Sequence, residues 1–152
     1  LTMKPVMMHP DAGRLVGELM NLRCDEITAD FVGGLELGAV PLTALVIATD
    51  YESKRRGFMV RKEAKGRGGR KTNNPPGIEG TSIANGGDVI ILEDVTTTGG
   101  SAIQAVKKIE SETSCNVVAV ISILDREEGG KEAFEAEDIH FESILCRTDI
   151  TG

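Results

Sequence analysis

Residues Val89 to Val106 read VIILEDVTTTGGSAIQAV. Glu93 and Asp94 follow the aliphatic run directly, and Thr97, Thr98, Gly99, Gly100 and Ser101 come soon after. Carboxylates at the end of a buried strand can accept hydrogen bonds from sugar hydroxyls or approach a metal ion. Hydroxyls and unhindered backbone N–H groups at a helix N-terminus form a phosphate cradle. Set a few residues apart, the two suit one ligand that carries both a ribose and a 5-phosphate. The tract is not a GxxxxGKS/T nucleotide loop, because no lysine follows its glycines, and GxGxxG is absent. A tight turn with a capping serine would explain the glycines, but not consecutive acids at the end of a buried strand.

A second concentration of chemistry is basic. The net charge is −7, yet Lys54, Arg55, Arg56, Arg61, Lys62, Lys65, Arg67, Arg70 and Lys71 fall in one segment with a single acid, Glu63. That segment is +8 and the remainder of the chain −15. An acidic protein that gathers its positive charge in one glycine-containing loop is expected to present it to an anion. A solvated, partly disordered loop is the plain alternative. Nucleic acid is not an expected partner, since four Phe and one Tyr leave few rings for base stacking. Cys24, Cys115 and Cys146 are odd in number and widely spaced, which fits reduced core thiols better than a disulfide or zinc framework. His9 and His140 read as a helix-start residue and a strand surface residue, with no catalytic part.

These residues need elements to hold them. Pro10 follows His9, and Ala12, Leu15, Val16, Leu19 and Met20 continue at helical spacing, which predicts a helix with an apolar stripe. ADFVGG predicts a short strand, GAVPLTALVIA a buried element that Pro41 near its start makes a helix, and RGFMVRK a strand. Residues 63–86 show no periodicity and much Gly, Asn and Pro, and are expected to form a long loop with no core contribution, a mobile lid. DVIIL is continuous and aliphatic, as in a strand buried on both faces of a parallel sheet. Ala102, Ala105, Val106 and Ile109 mark a helix, NVVAVISIL a second buried strand, GKEAFEAE a short helix, and IHFESIL a final strand of alternating character. Strands alternating with helices predict a doubly wound α/β fold, with ligands bound at the carboxyl ends of the strands.

At 152 residues, 40% hydrophobic and 27% charged, residues 1–152 are expected to fold as one globular domain. No apolar run approaches the roughly 20 residues of a membrane helix, and no basic-then-apolar leader opens the sequence, so a soluble cytoplasmic protein without a membrane partner is expected.

VIILEDVTTTGGSA resembles the signature with which type I phosphoribosyltransferases bind phosphoribosyl diphosphate (PRPP). With VGGLELGAVP, FMVRKEAKGRG and ILDREEGGKEAF, the likeness narrows to the orotate phosphoribosyltransferases and runs from about Met3 to Asp149. The resemblance implies the Rossmann-like type I phosphoribosyltransferase fold: a central, mainly parallel sheet flanked by helices, with a long flexible loop. It implies transfer of phosphoribose from PRPP to orotate, giving orotidine monophosphate and pyrophosphate, with Mg²⁺ carried by the substrate rather than by protein ligands. It assigns the 5-phosphate to Thr97, Thr98, Gly99, Gly100 and Ser101, the ribose hydroxyls to Glu93 and Asp94, and the pyrophosphate to backbone amides of Leu35, Glu36, Leu37 and Gly38. Arg126, with Thr97 near it, would hold orotate; pairing of Arg126 with Asp125 or Glu127 is the structural alternative.

In such enzymes a mobile catalytic loop closes over PRPP and reaches the neighbouring subunit of a homodimer. Matching residue by residue, Lys62 would serve its own subunit, and Arg61 and Lys65 the partner's. Arg67 falls where many relatives carry a histidine, and an arginine supplies charge without a transferable proton. Glu36 and Leu37 stand where many relatives have a lysine. LTMKPVMMHP resembles the end of a YYxDLKP-type segment, which implies a chain shortened at its N-terminus. A phosphoribosyltransferase for another base would share the PRPP motif but should lack DREEGG, and a non-catalytic PRPP-binding domain would have no need of the Arg61, Lys62 and Lys65 set.

Overall fold

The computed structural model describes residues 2–63 and 72–151; Lys65, Arg67, Arg70 and Lys71 lie outside the described residues. Helices α1 (Lys4–Met7) and α2 (Pro10–Ile27) lead into β1 (Phe31–Leu35), α3 (Ala39–Ala48), β2 (Arg56–Val60), β3 (Ile78–Gly80) and β4 (Gly87–Thr96). Then come α4 (Gly100–Glu112), β5 (Cys115–Asp125), α5 (Gly130–Ala136), β6 (Phe141–Cys146) and α6 (Arg147–Thr151). The strands form one sheet in the order β3-β2-β1-β4-β5-β6, parallel except for β3, which runs antiparallel to β2.

Burial on both faces explains why β4 and β5 read as unbroken aliphatic runs. On one face Met7, Val16, Met20, Leu42 and Val46 pack with Ile90, Leu92 and Ile121. On the other, Ala102, Ala105, Val106, Ile109 and Phe134 pack with Val89, Ile91 and Val120. Alternation along β4 therefore sends residues 89 and 91 toward α4, and residues 90 and 92 toward α2 and α3. Helix α2 begins as the sequence predicts: His9 is its N-cap, with Nδ1 accepting from the Asp11 and Ala12 N–H groups at 3.2 and 3.3 Å, and Pro10 sits in the first turn. Cys24 and Cys115 are buried free thiols, and burial pushes Cys24 up to about 12, so it stays protonated.

Several expectations are corrected. In α2 the buried positions are Gly13, Val16, Gly17, Met20, Asn21 and Cys24; of the expected stripe only Val16 and Met20 are buried, Ala12 is half-buried, and Leu15 and Leu19 are exposed, as is Leu22. Residues 72–86 do contribute to the core: β3 pairs with β2, Ile78 and Ile83 are fully buried, and buried Asn74 bridges the Thr81 carbonyl and the Ile83 N–H, each at 2.9 Å. An edge strand that buries only its first residue leaves no period for a sequence pattern to reveal. Strand β6 is half-buried at nearly every position rather than alternating. No helix among the described residues is long and apolar enough to cross a membrane.

The basic segment is also not one loop. Lys54, Arg55 and Arg56 sit at the amino end of β2, about 17 Å of strand from Arg61 at the other end. Arg55 is buried, donating to Asn21 Oδ1 at 2.7 Å and Asp25 Oδ1 at 2.8 Å, and Lys54 pairs with Asp25 and Glu52. Arg55 and Lys54 are thus engaged by carboxylates of the protein itself, while exposed Arg56 donates to the Ser53 and Arg55 carbonyls at the end of the sheet away from Arg61.

Candidate active site

Because β1, β2, β4 and β5 are parallel, the turns after them lie along one edge of the sheet. That edge gathers Leu35–Gly38, Arg61 and Lys62, Thr97–Ser101, and Arg126. Strand β4 runs on past the two acids to Thr96, so Glu93 and Asp94 belong to the strand's last turns of pleat rather than to the loop. Alternation then sends them to opposite faces.

Asp94 enters the cleft between β4 and the loop after β1. An added Cβ at Gly38 would collide with its carboxylate, so only glycine lets this loop approach so closely. Lys4 Nζ, from α1, stands 3.4 Å from Asp94 Oδ2. The Leu35–Gly38 loop is tied back to β2 by the Glu36 N–H donating to the Val60 carbonyl at 2.8 Å and by the Lys62 N–H donating to Glu36 Oε1 at 3.3 Å.

Glu93 turns toward the first turn of α4. Burial, with a smaller contribution from the Asp94 charge, pushes its carboxyl up to about 8, against which the Ala102 N–H gives partial relief. Among the described residues no cation pairs with it. At the N-cap of α4, Gly99 has φ +87°, a left-handed conformation that glycine adopts without strain, and it offers no side-chain cap of its own. Thr98, Gly100 and Ser101 are exposed there and Thr97 is half-buried. The first-turn N–H groups at the positive end of this 13-residue helix have the charge and exposure that suit an anion, the Ala102 N–H being turned to Glu93. Just before this helix, buried Thr96 leaves its Oγ1 without a partner among the described residues.

Arg61 follows β2, with its N–H donating to the Gly77 carbonyl at 2.8 Å and its side chain paired to Glu79 of β3. Arg126 follows β5: its N–H donates to the Thr96 carbonyl at 2.9 Å, which locks this turn to the end of β4. Its guanidinium pairs with Glu128 at 2.8 Å, not with Asp125 or Glu127. Asp125 instead accepts the Glu127 N–H, and Glu127 accepts from Thr148. Arg126 also lines a cavity of 220 Å³ with Leu124, Arg147, Ile150 and Thr151. The cavity of 680 Å³ beside β5 and β6, lined by Asp125, Glu127, Lys131, Glu142 and Cys146 among others, lies off the phosphate cradle.

The structure thus brings Leu35–Gly38, Lys62 and Asp94 to one cleft and sets Thr97–Ser101 at its neighbouring helix, while Glu93 lies beneath that helix. Lys65 and Arg67 lie outside the described residues. Sequence reasoning missed Lys4, whose signal was a lone charge between methionines, and Glu79, whose signal was hidden in a segment read as loop.

The sheet order, the edge of parallel strand ends and the acid pair before an open helix N-terminus define the type I phosphoribosyltransferase fold. Comparison with known proteins carries this further. No protein-family model matches the chain. An orotate phosphoribosyltransferase of Rhodopseudomonas palustris (strain BisB18) is 39% identical over 144 residues, 93% of this chain and 75% of that protein. One from a Nostoc species is 36% identical over 150 residues, 97% of this chain and 69% of that protein. The crystal structure of the Mycobacterium tuberculosis orotate phosphoribosyltransferase in complex with PRPP superposes with a TM-score of 0.84 at 31% identity, covering 99% of this chain and 82% of that one. This chain belongs to the orotate phosphoribosyltransferase family.

Proposed function

We propose that the chain transfers the phosphoribosyl group of PRPP to orotate, giving orotidine monophosphate and pyrophosphate. The observation that carries this is the packing of the Asp94 carboxylate against Gly38, which joins a ribose acceptor and an amide-rich loop in one cleft beside a helix N-terminus that its N-cap Gly99 leaves without a side-chain cap. The arrangement matches the parts of PRPP in order. Thr97, Thr98, Gly99, Gly100 and Ser101 receive the 5-phosphate, Asp94 and Glu93 the ribose hydroxyls, and Leu35–Gly38 the diphosphate. Arg126 receives the orotate carboxylate, for which its planar fork suits better than a lysine, after exchanging Glu128 for it.

In the reaction the bond from the anomeric carbon to the diphosphate oxygen breaks, a bond to the orotate nitrogen forms, and the proton that nitrogen carried passes to the departing pyrophosphate or to solvent. Negative charge grows on the departing pyrophosphate. Cations delivered only when the segment that follows Lys62 closes therefore stabilise the transition state more than the ground state, and closure keeps water from the oxocarbenium-like centre. Lys62 serves its own subunit, and Arg61 and Lys65 the partner's, with Arg67 adding charge. Arg61 must leave Glu79 to do so. Mg²⁺ would be held through the diphosphate oxygens and retained waters rather than by a protein cage, with Asp94 as the hard carboxylate at that side of the cleft, and would supply neutralisation of the phosphate charge. A homodimer in the cytoplasm is the working form; the apolar groove of 400 Å³ between α3 and β2, lined by Val40, Ile47, Phe58 and Met59, supports contact with a second copy.

Pyrophosphate release by the purified chain with PRPP and Mg²⁺ tests the reading, with orotate, uracil and adenine compared as acceptors. Release with orotate alone is expected. Release with another base would overturn the orotate assignment, and PRPP binding without release would leave a non-catalytic PRPP domain. Lys65→Ala should lower turnover far more than PRPP affinity, whereas equal losses would mark a simple binding contact. Activity recovered on mixing Lys65→Ala with Asp94→Asn would establish the shared loop.

A further inference from the structure

We propose that Lys4 is a substrate-binding residue. In the unliganded protein its ammonium holds the Asp94 carboxylate; when the ribose takes that carboxylate, the ammonium turns to the diphosphate of PRPP. The inference rests on the reading of the cleft as a PRPP site and adds to it a cation supplied by α1.

Lys4 and Asp94 are 90 positions apart in sequence, yet Nζ stands 3.4 Å from Oδ2. The same carboxylate packs on Gly38, so the ammonium sits at the seam between the ribose acceptor and the Leu35–Gly38 loop. A chance surface pair would rest on a loosely held backbone. Here Met3 and Met7, on either side of Lys4, are buried in the core beneath α2 and α3. Pro5 lies in the first turn of α1, and the Met8 N–H closes that turn on the Lys4 carbonyl at 3.1 Å. The Cα of Lys4 is therefore fixed, while its stem is long and its side chain is 52% exposed, free to swing by a few ångströms.

Charge balance gives the reason for a cation at this place. The cleft offers Glu36 and Asp94 to a substrate that is itself a polyanion, and of the neighbouring cations Arg61 is engaged by Glu79. Without Lys4, the Asp94 carboxylate would meet PRPP with no ammonium paired to it among the described residues. With it, binding becomes an exchange of partners: Asp94 gives up an ammonium for sugar hydroxyls, and Lys4 gives up a carboxylate for phosphate oxygens, whose charge-assisted hydrogen bonds are stronger.

The test measures PRPP affinity by calorimetry, with KM and kcat, for the wild-type chain and for Lys4→Ala, Lys4→Met and Lys4→Arg. Lys4→Ala and Lys4→Met should weaken PRPP binding and raise its KM about tenfold or more, with the KM for orotate at saturating PRPP little changed, and Lys4→Arg should recover most of the loss. Added salt should weaken PRPP binding less in Lys4→Ala than in the wild type. Affinity within about twofold of the wild type in Lys4→Ala would reduce the contact to a surface ion pair and overturn the proposal. Tighter binding in Lys4→Ala would also overturn it, by showing that the lysine competes with the ribose. A loss in Lys4→Ala but not in Lys4→Met would assign the effect to packing of the stem and likewise overturn it. A wild-type chain with no affinity for PRPP would overturn the functional reading and this inference together, whereas a wild-type chain that binds PRPP while its Lys4 variants match it overturns this inference alone.

Discussion

The two ends of the sheet treat buried charge in opposite ways. At the amino end, Arg55 donates to Asn21 and Asp25, while the Asn21 amide donates to the Gly17 and Val46 carbonyls and to Thr49 Oγ1, all within 3.1 Å. Burial opposes ionisation of Asp25, but its bonds to Arg55 and Lys54 outweigh that and hold its carboxyl below the usual range. Among the described residues Arg55 Nε alone is left without a partner at this end. At the carboxyl end, Glu93 is pushed up to about 8 with only an N–H to offset its burial, Thr96 Oγ1 is unpartnered among the described residues, and Gly99 gives the helix N-terminus beside them no side-chain cap. At the amino end partners inside the protein hold the charge and secure the fold; at the carboxyl end burial favours the protonated form of Glu93, a carboxyl whose hydrogen-bonding capacity is left for a ligand. Composition alone would have ranked the arginine-rich start of β2 above the acid pair as a site, and the partners reverse that order.

The comparison can be broken at either end. Arg55→Ala strands Asn21 Oδ1 and opens a void, so it should cost about 2–4 kcal/mol and lower Tm by roughly 6–12 °C, leaving activity at 25 °C within about twofold. Thermal unfolding alongside the assay checks this, and a loss of activity without loss of stability would place function at the wrong end. Asp94→Asn should do the reverse, lowering kcat/KM about 100-fold with Tm unchanged.

Glu93→Gln sharpens the contrast through pH. The folded carboxyl titrates above its ordinary value of 4.5, so the stability it contributes is fully present below pH 4.5 and is lost as pH rises through about 8. Removing the charge should therefore leave Tm unchanged at pH 4.5 and raise the stability of the unliganded protein by about 1–2 kcal/mol at pH 8.5. A variant less stable than the wild type at high pH would mean that a hidden cation satisfies Glu93. The smallest effect is expected at Glu79→Gln, which frees exposed Arg61: stability should change by less than about 0.5 kcal/mol, and the salt dependence of turnover should move instead.

How much of this the sequence disclosed depended on whether a feature was local. The buried strands β4 and β5, the helix start at His9-Pro10 and the glycine-threonine turn each write their geometry into adjacent residues, and each was legible. Helix α2 misled because apolar residues cover more than half its circumference; Gly13 and Gly17 mark the side where α3 comes close, and Leu15 and Leu22 lie away from it. The division of labour within the basic segment was illegible, since partners such as Asn21 and Asp25 are some 30 positions from Arg55. Glu93 and Asp94 read as equivalent neighbours, yet strand alternation gives them different faces, different solvation and different partners. Lys4 could not be placed at all without the contact across 90 positions that brings it to Asp94.

The central claim, that the carboxyl edge of the sheet is a working phosphoribosyl-transfer site, is tested most directly by following orotate absorbance with the purified chain, PRPP and Mg²⁺, beside Asp94→Asn of matched Tm. Orotate consumption that requires PRPP and is lost in the variant is the predicted result. Orotate left untouched by a folded wild-type chain, or consumed equally by the variant, would contradict it.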